Sequence, residues 1–285
     1  MTRDTRVLLD GRRLHATGNG AVAVVRLFNP PSGCMDPGTE AELLALLDAV
    51  DADAALQVVL LTGRDTGMFV RHYDVGVLEE RARQMAARGL RFSLDRPVPE
   101  APLHRALARI EASRRIFIAA INGTCMGGGY ELALACDLRY AQAGDYRIGL
   151  PELNIGLLPG AGGTQKLWRV IGHAQALEAL LLGRTFRPDE AATAGLVHAC
   201  VDDVMAHALG VADELAGKPQ PALGHIKTLA RRAGVGAPEH GLADERTLFC
   251  DTMVSDAALQ RMAEMNAGRR DISDRALPSP PPVPG

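Results

Sequence analysis

No two cysteines in the 285-residue chain are spaced as CxxC, no serine sits in GxSxG, and neither HExxH nor a clustered His/Cys set occurs. Metal-ligand and serine-nucleophile chemistry therefore have no support in the sequence. The five cysteines, at 34, 125, 136, 200 and 250, are scattered and odd in number, and they read as reduced thiols. An excess of one charge is also missing. Lys+Arg 31 against Asp+Glu 34 gives a net charge of −3, so no basic field advertises a nucleic-acid partner. No run approaches the ~18 apolar residues of a membrane span. The opening Met1-Thr2-Arg3-Asp4-Thr5-Arg6 has no apolar signal core, and a cytoplasmic enzyme without a membrane partner is the expectation. Gly18-Asn19-Gly20 with Ala23 imitates a dinucleotide fingerprint, but it leads into a strand rather than a helix. Asn122-Gly123-Thr124 matches a glycosylation triplet that has no meaning without secretion.

What the chain does have is a glycine run. Met126-Gly127-Gly128-Gly129-Tyr130-Glu131 leads out of the apolar stretch Ile116 to Ile121 and into the helix-like Leu132 to Cys136. Residues without side chains at a strand-to-helix turn let a substrate approach the backbone, and the unpaired N–H groups of the helix start then face it. Such a nest stabilises negative charge developing on oxygen. Glu131 stands in the first turn of that helix. A second carboxylate, Glu152, follows 21 residues later, after Pro151 and before a tight turn containing Gly160, Gly162 and Gly163. Two acids beside an anion hole suit general acid–base catalysis.

Around this centre, apolar strands are predicted at 21–28, 57–62 and 116–121, with shorter ones at 138–143 and 146–150. Leu43, Leu44, Leu46, Leu47 and Val50 give a helix over 40–50 one apolar face, and 165–171 reads as another helix. Strand, crossover and strand in succession make an α/β fold. From Ala174 onward the pattern becomes almost wholly helical, and 276–285 has the composition of an extended, disordered Pro-rich tail. Length alone allows one large domain or two.

The segments IAAINGTCMGGGYELALACDLRYA and GLPELNIGLLPGAGGTQKLWR, with the strand and turn at 22–30, the strand at 58–63 and the stretch 191–197, resemble the crotonase (enoyl-CoA hydratase/isomerase) superfamily. The resemblance implies an α/β fold with a stacked ββα spiral core over 1–201, and a helical trimerisation region over 202–275 that packs homotrimers or homohexamers. It implies an acyl-CoA thioester substrate, with coenzyme A belonging to the substrate and no separate cofactor. Gly128 matches the glycine that gives one oxyanion N–H, Tyr73 falls where the second donor lies, and Glu131 and Glu152 match the acids flanking the catalytic water. Phe69, Arg71, His72, Asp74, Met126, Gly127, Tyr130, Pro151 and Gly160 are the matching substrate-side positions. The implied reaction is addition of water to an enoyl-CoA, or its reversal. A double-bond isomerase is the enzymatic alternative, and a non-catalytic paralogue is the alternative outside enzymes. Which glutamate is acid and which is base stays open.

The departure from the family lies at Phe69-Val70-Arg71-His72-Tyr73-Asp74, where small residues such as FSAGAD are usual. A backbone donor survives a change of side chain. The bulk of Arg71, His72 and Tyr73 nevertheless predicts a reshaped acyl pocket, a lost donor, or new chemistry from His72 or Tyr73. The arginine-rich segment 75–115 reads either as a solvated helix face or as a lid or phosphate contact.

Overall fold

The computed structural model describes residues 5–30, 32–233 and a few isolated positions between 247 and 269. Strands β1 (Thr5–Asp10), β2 (Leu14–Asn19) and β3 (Val22–Leu27) pair antiparallel in turn, and the Gly18-Asn19-Gly20 stretch ends β2 and enters the Gly20-Ala21 turn between the last two. Helix α1 (Pro37–Ala52) then crosses to β4 (Val58–Gly63), which lies parallel to β3. Asp36 caps α1 by accepting the Thr39 N–H, and Pro37 occupies the first turn, where a missing N–H costs nothing.

From here the chain repeats one move. A strand of the main sheet is followed by a short strand of a second sheet: β4 by β5 (Gly67–Val70), β6 (Ile116–Ile121) by β7 (Gly123–Met126), and β8 (Leu138–Gln142) by β9 (Ile148–Gly149). Helices α2 (Val75–Ala87) and α3 (Pro102–Ala112) fill the second crossover, and α4 (Gly128–Ala135) fills the third. The bend between sheets is pinned by Asn122, whose side chain accepts from the Gly63 N–H and donates to the Gly63 and Asp65 carbonyls. That structural duty accounts for the residue that imitates a glycosylation site.

The chain continues through a 3-10 turn (Glu152–Ile155), α5 (Gly163–Ile171), α6 (His173–Leu181), β10 (Thr185–Phe186), α7 (Pro188–Thr193), β11 (Ala199–Val201), α8 (Val204–Ala216) and α9 (Gln220–Arg232). The main sheet runs β1-β2-β3-β4-β6-β8-β11, and the second runs β10-β9-β7-β5. Two corrections to the sequence expectation follow. The part after Ala174 is not wholly helical, since β11 extends the main sheet parallel to β8 and β10 pairs with β9. The strand expected over 146–150 shrinks to two residues. Elements this short carry too few side chains to display a period.

Every residue of β4 and β6 is buried, as expected for parallel strands covered on both faces. On one face lie Leu43, Leu46 and Leu47 of α1 with Leu107 and Ile110 of α3. On the other, Val204, Ala208 and Ala212 of α8 pack on Val58, Leu60 and Ile118. The predicted start of the helical region near 202 thus falls between β11 and α8, and α8 lies directly on the sheet. Lys227 of α9 is buried, donating to the Ile110 and Arg115 carbonyls and pairing with Asp137 at 2.8 Å. The stretch Leu242 to Met253, apart from two isolated positions, and the tail 276–285 lie outside the described residues. Among the described residues no helix is long and apolar enough to cross a membrane.

Candidate active site

Where β7 gives way to α4, Gly127 adopts φ +50° and ψ −128°, a conformation that penalises any side chain. Its N–H donates to the Gly149 carbonyl, so the turn is fixed by its neighbour strand. Gly129 lies against the end of β5: a Cβ there would stand 2.4 Å from the Val70 carbonyl oxygen. The glycine run therefore brings α4 and the 70–74 loop into backbone contact.

Across that contact sits Tyr73. Among the described residues, neither the Tyr73 N–H nor the Gly128 N–H donates to a backbone carbonyl. The two amides border one space, since a Cβ built on Gly128 would lie 3.6 Å from Tyr73 N. The loop is held by Met35 N–H donating to the His72 carbonyl (2.8 Å) and Asp74 N–H donating to the Met35 carbonyl (2.7 Å). The loop's backbone course is thus fixed by main-chain hydrogen bonds rather than by its side chains.

Glu131, one turn into α4, is buried, and its Oε1 accepts from the N–H groups of Ala161 (2.6 Å) and Gly163 (2.8 Å). Burial raises its carboxyl above the ordinary carboxylate range, while those two N–H groups, Lys166 and His104 pull it back down. Gly163 has to be small, because a Cβ would come within 2.7 Å of Leu150 and Pro159 and 3.1 Å of Glu131 Oε1. Glu152 opens the 3-10 turn on the other side. Its Oε1 would lie 3.3 Å from a Cβ on Gly127, and its Oε2 is buried with no hydrogen-bond partner among the described residues. Burial pushes Glu152 up to about 7, opposed by its own backbone N–H and reinforced by the charge of Glu131.

Glu131, Glu152, Gly128, Tyr73, His72, Gly127, Pro151 and Gly160 line one cavity of about 560 Å³. The other sequence candidates lie outside its lining. Phe69 is in the core, and Tyr130 is fully buried with its hydroxyl donating to the Leu196 carbonyl. Arg71 is exposed and acts through its backbone, which donates to the Gly33 carbonyl and accepts from Met126. Asp74 caps α2, accepting from Gly76 and Val77. Four further polar residues face the cavity without having stood out in the sequence: Glu40 of α1, Arg81 of α2, His104 of α3 and Asn154 of the 3-10 turn. His104 accepts the Ala101 N–H on Nδ1, so Nε2 carries the proton and donates to the Gly160 carbonyl at 2.7 Å. It braces the turn whose next amides hold Glu131. His72 donates from Nδ1 to the Tyr73 carbonyl, leaving Nε2 as acceptor when neutral.

A family model for enoyl-CoA hydratase/isomerase matches residues 17–267. This chain belongs to that family. It is 34% identical to the 2,3-dehydroadipyl-CoA hydratase of Escherichia coli over 210 residues, covering 73% of this chain and 77% of that protein. Its fold superposes on an enoyl-CoA hydratase of Geobacillus kaustophilus with TM-score 0.83 and 25% identity, covering 94% of this chain and 98% of the other. Pseudomonas aeruginosa DspI gives TM-score 0.79 at 29% identity, with 92% and 96% covered. Within the enoyl-CoA hydratase/isomerase family, the ββα spiral of this chain is therefore the common crotonase fold, with helices packed on a largely parallel sheet.

Proposed function

We propose that this chain adds water to the double bond of an enoyl-CoA-type thioester, or removes it in reverse. The observation that carries the reading is the facing of two unlike carboxylates across one cavity beside two backbone amides that have no carbonyl partner among the described residues. The Gly128 and Tyr73 N–H groups receive the thioester carbonyl and stabilise the enolate oxygen. Glu131, whose Oε1 accepts two N–H bonds that favour the charged form, is the base: it takes a proton from water as the water oxygen bonds to the β carbon. Glu152, pushed up to about 7 with an oxygen that has no partner among the described residues, is the acid that protonates the α carbon. The pair titrates jointly, so the roles describe the resting protonation rather than two independent values.

The test is turnover of crotonyl-CoA and longer enoyl-CoA in water enriched in heavy oxygen and deuterium. Uptake of both labels into a 3-hydroxyacyl product supports hydration; deuterium exchange with no oxygen uptake assigns a double-bond isomerase instead. Glu131→Gln and Glu152→Gln should each lower kcat by ~10²–10⁴-fold with an unchanged circular dichroism spectrum. Near-normal turnover in either variant removes that residue from the mechanism. We propose further a cytoplasmic location and a homotrimeric or homohexameric assembly, in which the helical region from 202 contributes subunit contacts.

A further inference from the structure

The cavity carries a third carboxylate that hydration does not use. Glu40 is buried at 4% exposure on a helix whose other buried side chains are mostly leucines and a valine, and it faces the same space as Glu131 and Glu152. A buried carboxylate is costly unless its oxygens are satisfied. Among the described residues Glu40 forms no ion pair, and the one group hydrogen-bonded to its side chain is the Tyr73 hydroxyl, which donates to Oε1 at 2.5 Å. Burial, with Glu40 beside it, holds the Tyr73 phenol in its protonated, donating form. A carboxylate has about four acceptor positions, so one donor leaves Glu40 with capacity toward the cavity. Arg81 completes the group. Its guanidinium stands 5.8 Å from the Tyr73 ring centroid, lines the cavity, lies close enough to the Tyr73 phenol to offset part of that effect, and has no carboxylate partner among the described residues.

We propose that Glu40, Tyr73 and Arg81 recognise the acyl chain, and that the thioester this chain acts on carries a hydroxyl group there. The inference rests on the acyl-thioester reading above and names its substrate class. A hydroxyl is both donor and acceptor, so it donates to Glu40 while accepting from Arg81. An alkyl chain would cover Glu40 and leave its second oxygen without a donor, the situation that makes hydrogen-bonding sites selective. A carboxylate would meet Arg81 but lie against Glu40, and an ammonium would meet Glu40 but lie against Arg81. Of these four groups the hydroxyl alone suits both. The same trio gives a reason for the bulk at position 73: the tyrosine leaves its backbone at the anion hole and reaches Glu40 with its hydroxyl.

The experiment compares matched pairs of 2-enoyl-CoA thioesters, alkyl and terminally hydroxylated, at four, five and six carbons, together with the ω-carboxylated series. In the wild type, kcat/KM should favour a hydroxylated member over its alkyl partner by at least about tenfold, toward the ~10⁴-fold a hydrogen-bonding site reaches. Glu40→Leu and Tyr73→Phe, singly and together, should collapse that ratio to near one by raising turnover of the alkyl member. Glu40→Met, apolar and of similar length, gives the same readout if the leucine variant does not fold. A purely structural role predicts equal losses on every thioester and an unchanged ratio, and that result overturns the inference. So does preference for the alkyl or the carboxylated member at every length. If none of the thioesters is hydrated, the hydratase reading fails, and calorimetric binding of saturated hydroxyacyl-CoA against acyl-CoA decides the inference: tighter hydroxyacyl binding that Glu40→Leu abolishes supports it, and equal binding ends it.

Discussion

At the scale of single residues, Glu131 and Glu152 differ because their surroundings differ. One has an oxygen held by two amides; the other has an oxygen held by nothing among the described residues. Glu152 has its folded-state value raised from 4.5 to about 7, so its contribution to stability is fully present below the unfolded value and is lost as pH rises through about 7. Glu152→Gln should therefore melt higher than the wild type at pH 8 and gain much less at pH 5, as read by thermal unfolding in both buffers; an equal gain at both would contradict the buried-acid assignment. For the reaction, an acid that must start protonated gives hydration a kcat/KM that falls as pH rises through about 7. His104 acts one step back. With its brace on Gly160 removed, His104→Ala should let the Ala161 and Gly163 amides drift from Glu131, lowering kcat by ~10–100-fold and moving the acidic limb of the pH profile upward. An unshifted limb would make His104 a packing residue only. The glutamates were legible because a glycine run and a Pro151-flanked turn announce them in sequence. His104 and Glu40 were not, since their partners lie 56 and 33 residues away and nothing local marks a long-range hydrogen bond.

At the scale of elements, legibility followed length. The six-residue strands β4 and β6 are buried throughout and were placed within a residue, whereas β9, β10 and β11 exist through pairing partners rather than through a pattern of their own. The start of α1 carried a stronger signal than its apolar face alone, because Asp36 and Pro37 extend it to residue 37. The site depends on how closely α4 meets β5, and glycines set that distance. Two substitutions separate the effect of packing from that of helix propensity. Gly129→Ala puts a methyl 2.4 Å from the Val70 carbonyl oxygen, so α4 has to move, and the variant should lose stability by roughly 1–3 kcal/mol together with most of its activity. Gly210→Ala, on the exposed face of α8 with nothing within 4 Å of the new methyl, should gain about 0.5–1 kcal/mol and leave activity unchanged. Differential scanning calorimetry with parallel assays checks both. A tolerated Gly129→Ala would mean that the helix-to-strand approach is looser than the geometry requires.

At the scale of the whole molecule, the unfinished surface lies beside the site. Ile155 and Leu158, at 58% and 70% exposure, belong to the cavity wall, and Leu177, Leu181 and Leu182 at or next to α6 are exposed at 48%, 61% and 61%. Scattered exposed leucines need no explanation, but several on consecutive elements, next to a cavity they help to enclose, mark a surface that something covers. A second copy of the chain is the occupant we expect, because closed homo-oligomers are the usual way such faces are buried. The sequence placed the subunit contacts after residue 202, where the helices are amphipathic; it gave no sign of this second face, because an apolar residue in a helix reads as core whether its cover is the same chain or another. Light scattering at micromolar concentration should give a trimer or hexamer for the wild type. Leu181→Glu with Leu182→Glu should shift the population to smaller species, since two charges in an apolar contact are costly to bury. If the partner subunit closes the Ile155 and Leu158 side of the cavity, the dissociated variant should also show a raised KM for long acyl thioesters, with Glu131, Glu152 and both amides untouched. A wild type that is strictly monomeric and fully active would sink the link between assembly and site.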